Sequence, residues 1–127
     1  MSTKLFLLVF MISVIISLSS STVITMYPTM KCNTGNWCYS LTLLEKDLIS
    51  DDILQTDSKK CTKEDVTTSI SGKVVNDGWL DHVVEIAVSI NHNCTSSGKY
   101  TKYETDEYKF DLDDDSKKSA EFTATFP

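Results

Sequence analysis

Residues 84–94 read VEIAVSINHNC, and no other stretch constrains the fold as much. Val84, Ile86, Val88 and Ile90 alternate with Glu85, Ala87 and Ser89. That period of two puts the β-branched side chains on one face and the small or polar ones on the other, as in a strand buried on one side. The strand then runs directly into His92, Asn93 and Cys94. A chain built around it must supply partner strands and a second layer against which the apolar row can be buried.

The same period recurs along the chain. Ile24, Met26, Met30 and Cys32 alternate with Thr25, Tyr27, Thr29 and Lys31, which predicts a first strand over 23–32. Pro28 has no amide proton to give to a ladder, so this strand is expected at a sheet edge or bulged. The turn formers NTGN at 33–36 are followed by Tyr39, Leu41 and Leu43, a second strand that would make a hairpin with the first. Residues 51–54 lead into a short third strand or turn, and a helical reading of 43–54 lacks length and a stop signal. Residues 55–65 read as a polar loop carrying Cys61. Val66, Thr68 and Ile70 give a modest strand, 72–78 connect toward the central strand, and Trp79 with Leu80 is expected to cover one end of the core. Beyond Cys94, alternation at Tyr100, Lys102 and Glu104, at Tyr108, Phe110 and Leu112, and at Ala120, Phe122, Ala124 and Phe126 predicts three more strands. Seven or eight short strands without a strong helix describe an all-β sandwich.

Lys4, the apolar run 5–18 and the serines at 19–21 have the order of a secretion signal. Residues 1–21 are therefore expected to be a signal peptide, and 22–127 a single domain. An uncleaved anchor is the rival, but the run is shorter than the roughly 20 residues a spanning helix needs. The chain is expected to be secreted and extracellular, not an integral membrane protein. Cys32, Cys38, Cys61 and Cys94 make an even set, which in a secreted chain reads as two disulfides of open connectivity. Zinc needs paired close spacings, and only Cys32 and Cys38 are near each other. The net charge is −6 and all 12 basic residues are lysines. Without guanidinium forks or a basic excess, nucleic acid is excluded as a partner and docking to anionic membrane is disfavoured.

The segments VITMYPTMKC, YSLTLLEKD, DDIL, Thr56-Asp57, ISG at 70–72 and above all VSINHNC occur in an order and spacing that resemble the transthyretin-like proteins, a nematode family of small secreted domains. Pro28 stands where that family usually has glycine. The resemblance implies a disulfide-stabilised transthyretin-like (Ig-like) sandwich of two antiparallel sheets with an extracellular role. It also implies a bridge between the cysteine ending the first strand and the one in the His-x-Cys motif. That pairs Cys32 with Cys94 and leaves Cys38 with Cys61; Cys32 with Cys61 and Cys38 with Cys94 is the alternative.

His92 can be read as a ligand-binding or acid–base group, or as a structural histidine bonded to backbone beside the disulfide. Acid–base work needs a second group in reach, and none is identifiable. His82 beside Asp81 reads as an exposed turn. The transthyretin fold also occurs in hydrolases of purine breakdown, which use histidines, arginine and a tyrosine-containing C-terminal tetrapeptide. This chain has no arginine and ends FTATFP, and it carries neither GxSxG nor HExxH. No enzyme is expected. Asp111, Asp113, Asp114 and Asp115 invite a calcium reading, but Ser116 and Phe122 stand where an EF-hand needs glycine and glutamate. No cofactor or metal is expected. Asn93-Cys94-Thr95 is an N-glycosylation sequon whose middle residue is a candidate for oxidation, and a glycan requires Asn93 to face solvent. Among the aromatics Trp37, Tyr39, Trp79, Tyr100, Tyr103 and Tyr108, burial accounts for most, and exposure on one face would favour recognition.

The expected function is that of a secreted non-catalytic binding or signalling module for a small apolar ligand, a lipid, or an extracellular or cell-surface protein. The alternatives are a small secreted hydrolase and a disulfide-tied inhibitor or effector presenting the 32–38 turn. A monomer or a dimer is expected, the last strand being the route to pairing.

Overall fold

The computed structural model describes residues 20–76, 83–112 and 117–127. Residues 1–19 of the expected signal segment, together with Trp79, Leu80, Asp81, His82, Asp113, Asp114, Asp115 and Ser116, lie outside the described residues, whereas Ser20 and Ser21 open β1. Within them the chain is all-β: β1 (Ser20–Cys32), β2 (Trp37–Glu45), β3 (Asp52–Thr56), β4 (Lys60–Thr62), β5 (Val66–Thr67), β6 (Ile70–Asn76), β7 (Val83–His92), β8 (Thr101–Glu104), β9 (Tyr108–Asp111) and β10 (Lys117–Phe126).

These strands form two sheets. In the first, β1 lies between β10 on one side and β5 with β6 on the other. In the second, β2 and β7 are central neighbours, with β3 and β4 along the free side of β2 and β8 and β9 along that of β7. The inward rows of both sheets meet in one core. Ile24, Met26 and Met30 come from β1, Leu41 and Leu43 from β2, Ile70 and Val74 from β6, and Val84, Ile86, Val88 and Ile90 from β7. Each such aliphatic or thioether side chain, taken fully out of water, contributes on the order of 1.5–3 kcal/mol.

The strand arrangement differs from the expected one in several respects. The first two strands are not a hairpin, because β1 and β2 belong to different sheets and the turn at 33–36 carries the chain across the core. Among the described residues ten strands replace seven or eight, because the segments around Cys61 and Ser69 break into short pieces. The sheets are not wholly antiparallel: β1 and β10 run parallel, from Val23 opposite Lys117 to Cys32 opposite Phe126. Alternation sets which side chains face inward, but it carries no information on strand direction.

Pro28 sits in this central strand and not at an edge. Pairing to β6 ends at Met26–Ile70 and resumes with β5 at Thr29–Thr67 in the same register, so no residue is inserted. The Pro28 carbonyl accepts from the amide of Thr68 at 3.1 Å in that gap. A strand residue's N–H and C=O point to the same side, so the proton proline lacks falls where the ladder is already interrupted.

The expected polar loop over 55–65 is partly strand: Gln55 and Thr56 close β3, and Cys61 is the centre of β4. Gly72, read as the start of a connection, lies within β6. There a β-carbon would sit 2.7 Å from Leu54 Cβ and 3.2 Å from Leu43 Cδ2, so the absent side chain lets β6 of one sheet approach β3 of the other.

The outer face of β7 is less exposed than alternation predicts, since Ala87 and Ser89 are both buried. Leu44 and Thr42 of β2 stand directly opposite them. In addition, Lys46 at the end of β2 reaches Glu104 of β8, and β7 lies between those two strands. Small side chains in the middle of the sheet are thereby covered by longer ones from its flanks.

Candidate functional site

Strand β2 has a differently built feature at each end. At its start, the disulfide Cys32–Cys94 joins the end of β1 to the residue pair following β7, and Cys38–Cys61 joins directly opposed residues of β2 and β4. Trp37 is almost wholly buried there and donates from Nε1 to the carbonyl of Glu64 at 3.3 Å. Its ring lies 5.1 Å from that of Tyr39 and edge-on to Phe126 at 5.9 Å.

His92 is part of this cluster. It is buried, stacks on Phe126 at 3.8 Å between ring centroids, and accepts the amide proton of Cys94 on Nδ1 at 3.1 Å. An Nδ1 that accepts is unprotonated, so the neutral ring carries its proton on Nε2. Burial holds its pKa below the ordinary histidine value. The residue is thus a structural histidine, its acceptor committed to the turn that carries Cys94.

Asn93 is half-buried between His92 and Cys94. Its Oδ1 accepts the Cys38 amide at 2.7 Å, and its own amide donates to the Cys38 carbonyl at 3.2 Å. The turn at 33–36 is exposed, with Gly35 at φ 93°. Thr34 packs its hydroxyl 3.1 Å from Cys32 Sγ, which folds the turn back over the disulfide.

At the other end of β2, the chain turns through 46–51 into β3. The Lys46 ammonium donates to Asp51 Oδ2 at 2.7 Å and to Glu104 Oε2 at 3.1 Å. Those bonds raise the lysine pKa, and the lysine in turn lowers that of Asp51. Asp51 Oδ1 accepts from the Asp47 amide at 3.4 Å, and Asp47 Oδ1 from the Leu48 amide at 2.6 Å. Asp side chains that bond to amides a few residues away fix such turns. What this braced turn presents is Leu48 and Ile49, 102% and 97% exposed; Ile53, on β3, is exposed as well. Burial, then Asp52 and Asp47, raises the pKa of Glu45 at its base. An adjoining depression of about 420 Å³ is lined by Glu45, Lys46, Asp47, Leu48, Val83, Val84, Glu85 and Glu107.

The other sequence candidates are scattered. Asp111 ends β9 at the surface, and among the described residues no three His, Cys, Asp or Glu side chains are grouped to hold a metal. Trp37 and Tyr39 are buried and Tyr108 is half-buried, whereas Tyr100 just before β8, Tyr103 on β8 and Tyr27 on the other sheet are exposed. Among the described residues the exposed tyrosines therefore lie on both sheets and do not share one face. No expectation from the sequence pointed to the tip. Its signal was present: two large aliphatics set between acidic residues in EKDLISDD have no alternation to bury them.

Two sheets around one core, tied by two disulfides and carrying a braced apolar tip, define a small disulfide-stabilised all-β domain of a kind typical of extracellular proteins. Residues 28–126 match the model of a family described as Caenorhabditis elegans protein of unknown function (DUF870), and the chain belongs to that family. No curated protein and no solved structure matches it. No helix among the described residues is long and apolar enough to cross a membrane.

Proposed function

We propose that this chain is a secreted, non-catalytic recognition domain that docks onto an extracellular protein through the 46–51 tip. The observation that carries this reading is the exposure of Leu48 and Ile49 on a turn held by Lys46, Asp47 and Asp51. Two aliphatic side chains wholly in water on an ordered support are pre-organised to enter a pocket, so little conformational entropy is lost on binding. Asp47, Asp51 and Asp52 around them favour a partner whose apolar pocket has a basic rim, and disfavour an anionic lipid surface. A non-catalytic role is supported by His92, whose acceptor nitrogen is already used inside the fold.

The narrower kinship with transthyretin-like proteins belongs to the same proposal. It is supported by the Cys32–Cys94 bridge, the pairing that resemblance implies.

The test is binding of the fluorescently labelled protein to nematode tissue, beside a Leu48→Ser/Ile49→Ser variant of matched thermal stability. Saturable staining that the variant loses, and that weakens with salt, is the expected result. Equal staining by both proteins defeats the reading. A small apolar molecule retained in native mass spectra by both would favour the carrier alternative.

A further inference from the structure

The sequon at Asn93 is closed by the folded structure. Asn93 Oδ1 is bonded to the Cys38 amide, Cys94 is fully buried with its sulfur bridged to Cys32, and the Thr95 hydroxyl donates to the Lys99 carbonyl at 2.9 Å. The Thr95 amide also donates to the Asn93 carbonyl at 2.8 Å, so the three residues are held in a tight turn. A glycosyltransferase acting on Asn-x-Thr must take hold of the asparagine amide and the threonine hydroxyl together. Here the asparagine Oδ1 and the threonine hydroxyl are committed to the protein, and the residue between them is anchored in the core.

We propose that Asn93 accepts a glycan only while Cys94 is still a thiol, so that occupancy is set by a race between glycosyl transfer and closure of the Cys32–Cys94 bridge. This rests on the extracellular reading above, since both reactions belong to the secretory compartment. In the transfer, Asn93 Nδ2 attacks the anomeric carbon of a lipid-linked oligosaccharide diphosphate. A C–N bond forms, the C–O bond to the diphosphate breaks, the lipid diphosphate leaves, and Nδ2 gives up a proton. In the closure, Cys32 is first held as a mixed disulfide with an oxidised thiol–disulfide carrier. The Cys94 thiolate attacks the Cys32 sulfur, and the carrier leaves as a thiolate that retains the electron pair of the broken bond. Cys32 precedes Cys94 by 62 positions, whereas Asn93 and Cys94 are adjacent. Acceptor and attacking thiol therefore become available together, and neither reaction has a head start.

The fold leaves room for the product. Asn93 lines a solvent-open depression of about 360 Å³ together with Asn36, Trp37, Cys38, Cys61, Thr62 and Lys63. A first sugar on Nδ2 can lie there while Oδ1 keeps its bond to Cys38.

The experiment is expression of the full chain in secreting eukaryotic cells, with the glycosidase-sensitive mass at Asn93 read by intact mass spectrometry. Wild type, Cys32→Ala and Cys61→Ala are compared, and wild type is also pulsed with dithiothreitol during synthesis. Partial occupancy in wild type is expected to rise several-fold in Cys32→Ala and during the pulse, and to stay near wild type in Cys61→Ala. Transfer, when it wins, takes place on the still unfolded segment, so a variant that later misfolds still reports on the race. Equal occupancy in wild type and Cys32→Ala overturns the proposal, as does an equal rise in Cys61→Ala or modification of the oxidised, folded protein by microsomal transferase. Appearance of the chain in the medium is scored separately, so failure of the extracellular reading is distinguished from failure of the race.

Discussion

His92 and Phe126 stack with their ring centroids 3.8 Å apart, tying the end of β7 in one sheet to the end of β10 in the other. Because Nδ1 accepts the Cys94 amide proton and burial lowers the pKa, the folded chain holds this ring neutral. Unfolded, it titrates near pH ~6.5. The unfolded state therefore takes up the proton first as pH falls. The stabilisation is complete above about pH 6.5 and is lost progressively below it, down to the lower folded value. Urea midpoints are expected to fall between pH 7 and 5. His92→Phe keeps a ring on Phe126 but orphans the Cys94 amide, at a cost of about 1–3 kcal/mol at pH 7. It is also expected to flatten the pH dependence relative to wild type. Identical slopes for the two proteins would assign the titration to another group.

The two disulfides are expected to differ in worth. Sequence separations of 62 for Cys32–Cys94 and 23 for Cys38–Cys61 give chain-entropy contributions of about 4 and about 3 kcal/mol. Cys94 is buried, whereas Cys61 is exposed. Stepwise reduction followed by alkylation and peptide mapping should label Cys38 and Cys61 first. Replacing Cys32 and Cys94 by alanine should lower the urea midpoint further than replacing the other pair, and the opposite ranking would contradict this account.

Gly72→Ala is expected to destabilise by about 1–3 kcal/mol through overpacking between the sheets. The nearest obstacle is Leu54 Cβ at 2.7 Å, which only movement of β3 can relieve. Leu54→Ala retains that atom and so should not rescue Gly72→Ala, whereas Leu54→Gly should recover part of the loss. Rescue by Leu54→Ala would show that the longer side chain, not strand proximity, is the constraint.

Lys46→Met removes both ionic contacts of the tip while keeping an unbranched, apolar side chain over β7. Hydrogen exchange at the Asp47 and Leu48 amides, which are bonded to Asp51 and Asp47, is expected to quicken, with the core amides of β7 unchanged. High salt should quicken the same amides in wild type. Unaltered exchange at 47 and 48 would mean that the turn is fixed by its backbone alone.

Much of the architecture is written in the alternation itself. Ile24, Met26, Leu41, Leu43, Val84, Ile86, Val88 and Ile90 recur at every second position, and all are core residues. A period of two fixes side-chain facing wherever the strand lies. The even set of cysteines likewise indicates two bridges. Alternation has no direction and names no neighbour, so the sequence did not determine that β1 pairs in parallel with β10, that β1 and β2 occupy different sheets, or that Pro28 sits in a central strand. The break in alternation at Leu48 and Ile49 marks them as unlike the core rows, but apolarity alone does not say which way they point, because both are as apolar as Leu43 and Leu44. Tertiary structure decides that difference, since the last backbone bond of this segment to β7 is that of the Lys46 amide to the Glu85 carbonyl, and the Lys46–Asp51 ion pair closes the turn that leaves Leu48 and Ile49 in solvent.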